Sequence, residues 1–312
     1  MNAGEKLRSK FLGSLMGAAL GDAIGAHREG RHMAAEQDIG HIAFIEHPLR
    51  YTDDTHMTIG VAESLVENRG FNGTHMAQRF ADNYFREPWR GYGPGPPKVF
   101  RLLKNGEAWD KAASHIYPGG SFGNGAAMRV APVGLFFWND PEKLREIACR
   151  TSLITHSHIL GMEGAVLQAR AVALAVAGNP DDELDAQFFI SGLLNFATED
   201  IYRAKLTKFT TLLKNPADRE AVVSDLGHGI EAFNSVPTAI FAFLSHQQDF
   251  ASTIVYAVSL GGDTDTIASM AGAISGAYLG IEAIPQERQE HLENRDYILN
   301  LADRLWHVAS GQ

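Results

Sequence analysis

The chain has 312 residues, 45% of them hydrophobic, a formal net charge of −10 and one cysteine. That length and apolar share, with no low-complexity segment and no Pro/Gly/Ser linker, point to a single domain with one large core. The negative balance leaves no basic footprint for nucleic-acid phosphates or a membrane surface, while a lone Cys149 excludes an internal disulfide framework and a cysteine-based zinc site and fits a reducing, cytoplasmic setting.

In chain order, Leu7, Phe11, Leu15 and Ala18-Ala19 form the inner stripe of a first helix, and Gly17, Ala18, Ala19 and Gly21 let another backbone come close. Lys6, Arg8 and Lys10 before the apolar residues 11–20 imitate a signal peptide. The pattern instead runs into Gly21-Asp22-Ala23-Ile24-Gly25, a polar-interrupted helix end, so a core helix is expected. Asp22 at that end is either a buried hydrogen-bonding anchor or an acid standing behind a site. Glu29 follows in a loop and reads as an ordinary exposed acid. Residues 30–50 read as connecting loop. His27, His32, His41 and His47 near or within it fit no helix face, so a histidine metal site is set aside.

Tyr51-Thr52-Asp53-Asp54-Thr55 then leads into a helical pattern through Met57, Val61, Leu65 and Val66. An amphipathic stretch over 76–85 precedes Arg90-Gly91-Tyr92-Gly93-Pro94-Gly95-Pro96-Pro97, whose Gly and Pro content predicts a rigid loop bringing backbone and one aromatic to a surface. Tyr117-Pro118-Gly119-Gly120-Ser121-Phe122-Gly123-Asn124-Gly125 is the next irregular stretch, ahead of an apolar helix start at Ala126-Ala127-Met128. Outward-facing N–H groups there would cradle phosphate, and Phe122 would stack on a base; a packed glycine turn is the alternative. Thr155-His156-Ser157-His158 caps the most regular helix, 159–177, and His156 reads as a cap or a satisfied core histidine. Amphipathic segments follow over 183–199, 203–214, 217–233 and 236–246, with a last helix over 286–309. Extended alternation is nearly absent, which predicts an all-α domain.

One further stretch, Gly261-Gly262-Asp263-Thr264-Asp265-Thr266, lies between an apolar run and a small-residue helix pattern. Paired glycines permit a turn that converges two carboxylates and a hydroxyl on one point. An all-oxygen set suits Mg²⁺, Mn²⁺ or Ca²⁺ rather than Zn²⁺. Capping alone explains Asp and Thr at one helix start. The Thr52 to Thr55 motif repeats the chemistry, and four carboxylates at two helix starts exceed what capping requires, so a two-metal cluster is expected.

The set Gly17-Ala18-Ala19-Leu20-Gly21-Asp22, Tyr51-Thr52-Asp53-Asp54-Thr55, Gly120-Ser121-Phe122-Gly123-Asn124-Gly125-Ala126-Ala127-Met128-Arg129 and Gly261-Gly262-Asp263-Thr264-Asp265-Thr266 resembles the ADP-ribosylglycohydrolase superfamily in order and spacing, over nearly the whole chain. Arg90-Gly91-Tyr92-Gly93, Ser235-Val236-Pro237-Thr238-Ala239-Ile240 and the residues after Thr266 look most like its serine ADP-ribosylhydrolase branch; the arginine-specific and nitrogenase-reductase branches typically carry Asn where Ile267 stands. The resemblance implies a single compact orthogonal helical domain over 1–312 with two Mg²⁺ ions, replaceable by Mn²⁺, at the bottom of an ADP-ribose cleft. Thr52, Asp53, Asp54 and Asp265 would hold one ion; Glu29, Asp263, Asp265 and Thr266 would hold the other. Glu29 becomes the residue associated with catalysis, in a loop that opens and closes over substrate. The diphosphate loop falls on Gly119, Gly120, Ser121, Phe122, Gly123, Asn124 and Gly125, with Asp53, His156 and Ile230 also lining the substrate site.

The implied substrates are ADP-ribosylated serine in protein or peptide, O-acetyl-ADP-ribose or poly-ADP-ribose, acted on by a monomer. Related enzymes carry Tyr where Phe122 stands, and this chain is shorter before Thr52 and around 190–216. Three alternatives are an arginine-linked hydrolase, an ADP-ribose-binding homologue without turnover, and a phosphatase, since Asp263-Thr264-Asp265-Thr266 imitates an Asp-x-Asp-x-Thr nucleophile motif. In those phosphatases the motif lies near the N-terminus; here fewer than fifty residues follow it.

Overall fold

The computed structural model describes residues 2–42, 48–182 and 184–311, and the side chains of 40–42 are not among those described. Helices α1 (Ala3–Gly25), α2 (Glu36–Ile42), α3 (Asp53–Asn68), α4 (Gly73–Arg86), α5 (Pro96–Lys104) and α6 (Ala112–Ile116) lead to a 3-10 turn at Asn124–Ala126. After it come α7 (Ala131–Phe136), α8 (Pro141–Leu153), α9 (Ile159–Ala177), α10 (Ala186–Leu194), α11 (Asp200–Leu212) and α12 (Arg219–Leu226). The chain ends in α13 (Ala232–Ser245), α14 (Phe250–Ser259), α15 (Thr264–Leu279), a 3-10 turn at Ile281–Ala283, α16 (Gln286–His291) and α17 (Arg295–Ala309). Only isolated β-bridges occur among the described residues, so the architecture is all-α as expected.

The central pair is α1 against α15, which run antiparallel along a seam of small residues. A Cβ on Gly13, Gly17 or Gly21 would sit 2.4, 2.3 or 2.1 Å from a backbone oxygen of α15, at Gly276, Gly272 and Ala268 respectively. Glycine every fourth residue puts the gaps on one helix face, which is why the backbones can touch. The seam continues to Gly25, whose carbonyl accepts a hydrogen bond from Thr264 Oγ1 at 2.8 Å. It thereby fixes the start of α15, and with it the second acid motif, beside the end of α1.

Around this pair α9, α13, α14 and α17 complete the core. α9 is long and apolar enough to cross a membrane by composition, yet most of it is buried between α7, α8, α13 and α15. The helix expected at 159–177 is found with those bounds.

The first helix ends at Gly25, within the expected stretch 21–25, where Gly21 and Gly25 pack on α15. Several other expectations need correction. Within 30–50 lies the short α2, and His47 lies outside the described residues. The segment 217–233 breaks after Leu226, where Gly227 adopts a left-handed φ of 79°. The last helix is two, separated by Asn294 at φ 54°. No cap is formed by His156; the N-cap of α9 is His158, whose Nδ1 accepts from the Leu160 N–H at 3.1 Å.

Candidate metal centre and ligand cleft

Asp22, fully buried within α1, carries the first acid motif. Its carboxylate accepts from Thr52 N at 3.0 Å, Thr52 Oγ1 at 2.8 Å, Thr55 N at 3.0 Å and Thr55 Oγ1 at 2.6 Å. Of the two roles expected for it, Asp22 takes that of the anchor. Burial lifts it to about 6 against these stabilising bonds. Thr52 is the N-cap of α3 and its oxygen accepts from Asp54 N. The donors at the helix start therefore hold the backbone while the Asp53 and Asp54 side chains remain available.

The second motif is shaped by Gly261 and Gly262, at φ 73° and 74°. Any Cβ on Gly262 would meet the His228 carbonyl at 2.2 Å. Two backbone bonds, Gly30 N to Gly262 O at 2.8 Å and Gly262 N to Arg31 O at 2.9 Å, staple the Glu29 turn onto this corner. Consequently Glu29, Asp263 and Asp265 each place a carboxylate oxygen within 4.8 Å of one another. Asp263 sits at the N-cap of α15 yet makes no capping bond; its Oδ2 accepts from Asn124 Nδ2, which also donates to Ser235 Oγ at 3.0 Å.

The two corners meet. Thr266 Oγ1 lies 3.5 Å from Asp54 Oδ2, and one cavity of about 260 Å³ is lined by Glu29, Asp53, Asp54, Asp263, Asp265 and Thr266. Thr52 stands behind that wall with its hydroxyl on Asp22.

Crowding shows in the acidities. Burial, then Asp22, pushes Asp53 up to about 8, and burial with Asp22 and Asp265 drives Asp54 well above the carboxylate range. Asp265 is raised to about 10 by burial and then by Asp263, and Glu29 is raised by partial burial and then by Asp263. Asp54 Oδ1 is buried with no hydrogen-bond partner. A buried carboxylate oxygen without a donor, among like charges, is unfavourable unless a cation completes it. The all-oxygen donor set fits a hard divalent ion.

Of the expected substrate residues, Asp53, Ser121, Gly123, Asn124, Gly125, His156 and Ile230 line this cavity, while Gly119, Gly120 and Phe122 stand outside its lining. Gly119 and Gly120 take φ of 89° and 85°, and Gly120 packs against the backbone of Ser157 and His158. Phe122 is exposed at the rim, edge-on to His158 with centroids 5.6 Å apart. Its carbonyl accepts from Ala232 N, and Asn124 N donates to Ile230 O, so residues 122–124 and 230–232 form a short ladder. His156 bonds Thr155 Oγ1 through Nδ1 at 2.7 Å and packs against Gly125, where a Cβ would be 2.6 Å from its ring. Burial, then Arg129, lowers His156 to about 3, so its ring is neutral near pH 7.

Sequence reasoning did not assign Gly91, Gly93, Pro94, Gly95, Pro96, Tyr117, Met128 and Thr155 to the cleft, although all line it. The Gly/Pro loop was the available signal, and its backbone does face the cleft. Its aromatic does not: Tyr92 turns inward and its hydroxyl bonds His56 Nδ1 at 2.9 Å. Two roomier cavities, of about 490 and 550 Å³, contain none of the clustered acids.

The described geometry has counterparts. Residues 3–312 match the family model for ADP-ribosylglycohydrolase. The chain is 37% identical to "ADP-ribosylhydrolase ARH3" of Mus musculus, over 96% of this chain and 92% of that protein, and equally identical to the Homo sapiens protein of that name, over 96% and 93%. Its fold is similar to that of a solved "ADP-ribosylglycohydrolase-related protein complex", with a TM-score of 0.74 at 25% identity, covering 98% of this chain and 99% of that one. A match over nearly the whole length, carried by a helical fold with its acid motifs in one cleft, means that this chain belongs to the ADP-ribosylglycohydrolase family.

Proposed function

We propose that this ADP-ribosylhydrolase is Mg²⁺-dependent and cleaves the O-glycosidic bond at the anomeric carbon of ADP-ribose, releasing ADP-ribose from modified serine in a protein or peptide. The observation that carries the metal requirement is the unpartnered, buried Asp54 Oδ1 beside the 4.8 Å cluster of Glu29, Asp263 and Asp265. The serine preference is supported by the similarity to the proteins named ADP-ribosylhydrolase ARH3 and by Ile267 after the last acid motif.

In this reading Thr52, Asp53, Asp54 and Asp265 would hold one ion, and Glu29, Asp263, Asp265 and Thr266 a second. When bound, such ions supply positive charge that fixes ribose hydroxyls and acidifies water. The protein's own groups do the rest. Asn124 aims Asp263 by donating to Oδ2, and Asp22 holds Thr52 and the start of α3 in register. Ser121 to Gly125 present backbone and one hydroxyl to the diphosphate, with Phe122 at the rim as a stacking face for the base. Neutral His156 packs beneath Gly125, keeping that stretch tight without adding a positive charge. Glu29, at the exposed edge of the cluster with Asp263 and Asp265, gives or takes the proton that a serine leaving group and an attacking water require as positive charge builds at the anomeric carbon.

The test compares serine- and arginine-ADP-ribosylated peptides in Mg²⁺ or EDTA. Release of ADP-ribose from the serine linkage, lost in EDTA and impaired in Asp265→Ala and Glu29→Ala, is expected. Wild-type rates in Asp265→Ala would remove the metal assignment; faster release from arginine would remove the serine preference.

A further inference from the structure

The acid cluster has a second approach. A cavity of about 370 Å³ is lined by Glu29, Gly30, His228, Gly229, Ile230, Glu231, Gly262 and Asp263. It shares Glu29, Ile230 and Asp263 with the cleft already described, and contains neither the glycine loop at 119–125 nor Asp53 and Asp54. The partition between them is residues 228–232. One edge of that segment bonds the glycine loop, through Asn124 N to Ile230 O and Ala232 N to Phe122 O; at its other end the His228 carbonyl accepts from Asp263 N at 2.9 Å.

Cleavage at an anomeric carbon divides a substrate into two parts that leave in different directions. With the diphosphate against the glycine loop and the sugar at the acids, the departing part lies across the acids from that loop. We infer that this second cavity is the subsite for the acceptor, the modified residue with its flanking peptide main chain, and that His228 is its specificity-determining residue; the inference rests on the hydrolase reading above. Gly30, Gly229 and Gly262 contribute no side chains, so much of the wall is backbone, a surface suited to an extended peptide rather than to an apolar group.

His228 is held for such a role. Its Nδ1 contacts the Leu260 carbonyl at 2.9 Å, and because a carbonyl only accepts, Nδ1 carries the proton. The ring is held against Gly262, with Cγ 2.7 Å from where a Cβ would stand. Nε2 has no partner among the described residues, and in the neutral ring it accepts, matching a main-chain N–H of the flanking peptide.

The experiment measures kcat and KM of wild type, His228→Ala and His228→Gln on a serine-ADP-ribosylated peptide and on ADP-ribosylated free serine, with the affinity for free ADP-ribose measured separately. Losing one hydrogen bond should lower kcat/KM on the peptide by about tenfold in His228→Ala, mostly through KM, with partial rescue in His228→Gln. ADP-ribosylated free serine should be affected less, and free ADP-ribose affinity should stay within about twofold. Equal losses on peptide and free ADP-ribose, or no loss on the peptide, overturn the subsite while leaving the hydrolase reading intact. A wild-type protein that binds ADP-ribose but releases none from either substrate overturns both.

Discussion

At the scale of single residues the site is a set of like charges held together by the fold. Asp265 faces Asp263, Asp22 and Glu29, and its carboxyl is pushed far up by burial and by these neighbours. In the metal-free protein at pH 8 the folded Asp265 holds a proton that the unfolded chain has shed, and Asp265→Asn removes that cost. The stripped protein should gain on the order of 1 kcal/mol in EDTA at pH 8, while losing the stabilisation that Mg²⁺ gives wild type. Thermal unfolding with and without Mg²⁺ checks both halves, and an EDTA-treated variant less stable than wild type would contradict the repulsion. His156 works in the opposite sense. Its folded value, about 3, lies below that of the unfolded chain, so the unfolded state binds the extra proton and stability is lost as pH falls below about 6.5. The raised acids bind protons in the folded state and gain stability over the same descent. The contribution of His156 is isolated as a difference: His156→Gln should flatten the loss between pH 6.5 and 4.5, by on the order of 2–3 kcal/mol at most at the lower end, measured by denaturant unfolding.

At the scale of elements, the α1–α15 seam decides where the acids go. Gly17 and Gly272 face each other so closely that a Cβ on either would lie 2.3 or 2.2 Å from the other's carbonyl oxygen. Gly17→Ala and Gly272→Ala should each cost about 3 kcal/mol or more, since the clash is with backbone rather than with a side chain that can move. A variant of Gly272 that survives should also bind Mg²⁺ more weakly, because shifting α15 moves Asp263 and Asp265 away from Asp54; calorimetric titration of the stripped protein reads this. Much of this was legible. The small residues Gly17, Ala18, Ala19 and Gly21 announced a close backbone contact, and two Asp/Thr helix starts announced a shared acid site. Glu29 was not legible from its own neighbourhood, because what recruits it is a pair of backbone hydrogen bonds to Gly262, some 230 residues away along the chain. Tyr117 escaped for a similar reason: its place at the cleft depends on packing against Gly95, where a Cβ would lie 2.7 Å from its ring. The breaks at Gly227 and Asn294 were hidden because amphipathic periodicity runs through both, and only the left-handed backbone there reveals them.

At the scale of the whole molecule, the C-terminal region closes the first acid corner. Leu49 and Leu292 form a bridge, Glu293 N donates to Leu49 O at 3.0 Å, and the Glu293 carboxylate accepts from Tyr51 N at 3.0 Å, one residue before Thr52. Arg90 completes the junction. It donates from Nη1 to Tyr51 O at 2.9 Å, pairs with Glu87 and Glu293, and lies over the Tyr51 ring at 4.2 Å. The following Gly91, at φ 86°, then passes close to Asp53, 3.8 Å from its Oδ1 to a Cβ placed there. Residues near 50, 90 and 293 therefore share one joint under Asp53 and Asp54. Glu293→Ala leaves a largely buried guanidinium with a lost partner and frees the Tyr51 N–H, for a cost of about 2–3 kcal/mol. Because the damage lies on the Asp53 and Asp54 side alone, Mg²⁺ affinity should fall by about tenfold while binding of free ADP-ribose without metal changes little. Calorimetry on the EDTA-stripped variant separates the two. If both affinities fell together, the joint would be supporting the fold in general rather than this corner of the cluster, and the division of labour between the two acid motifs would have to be redrawn.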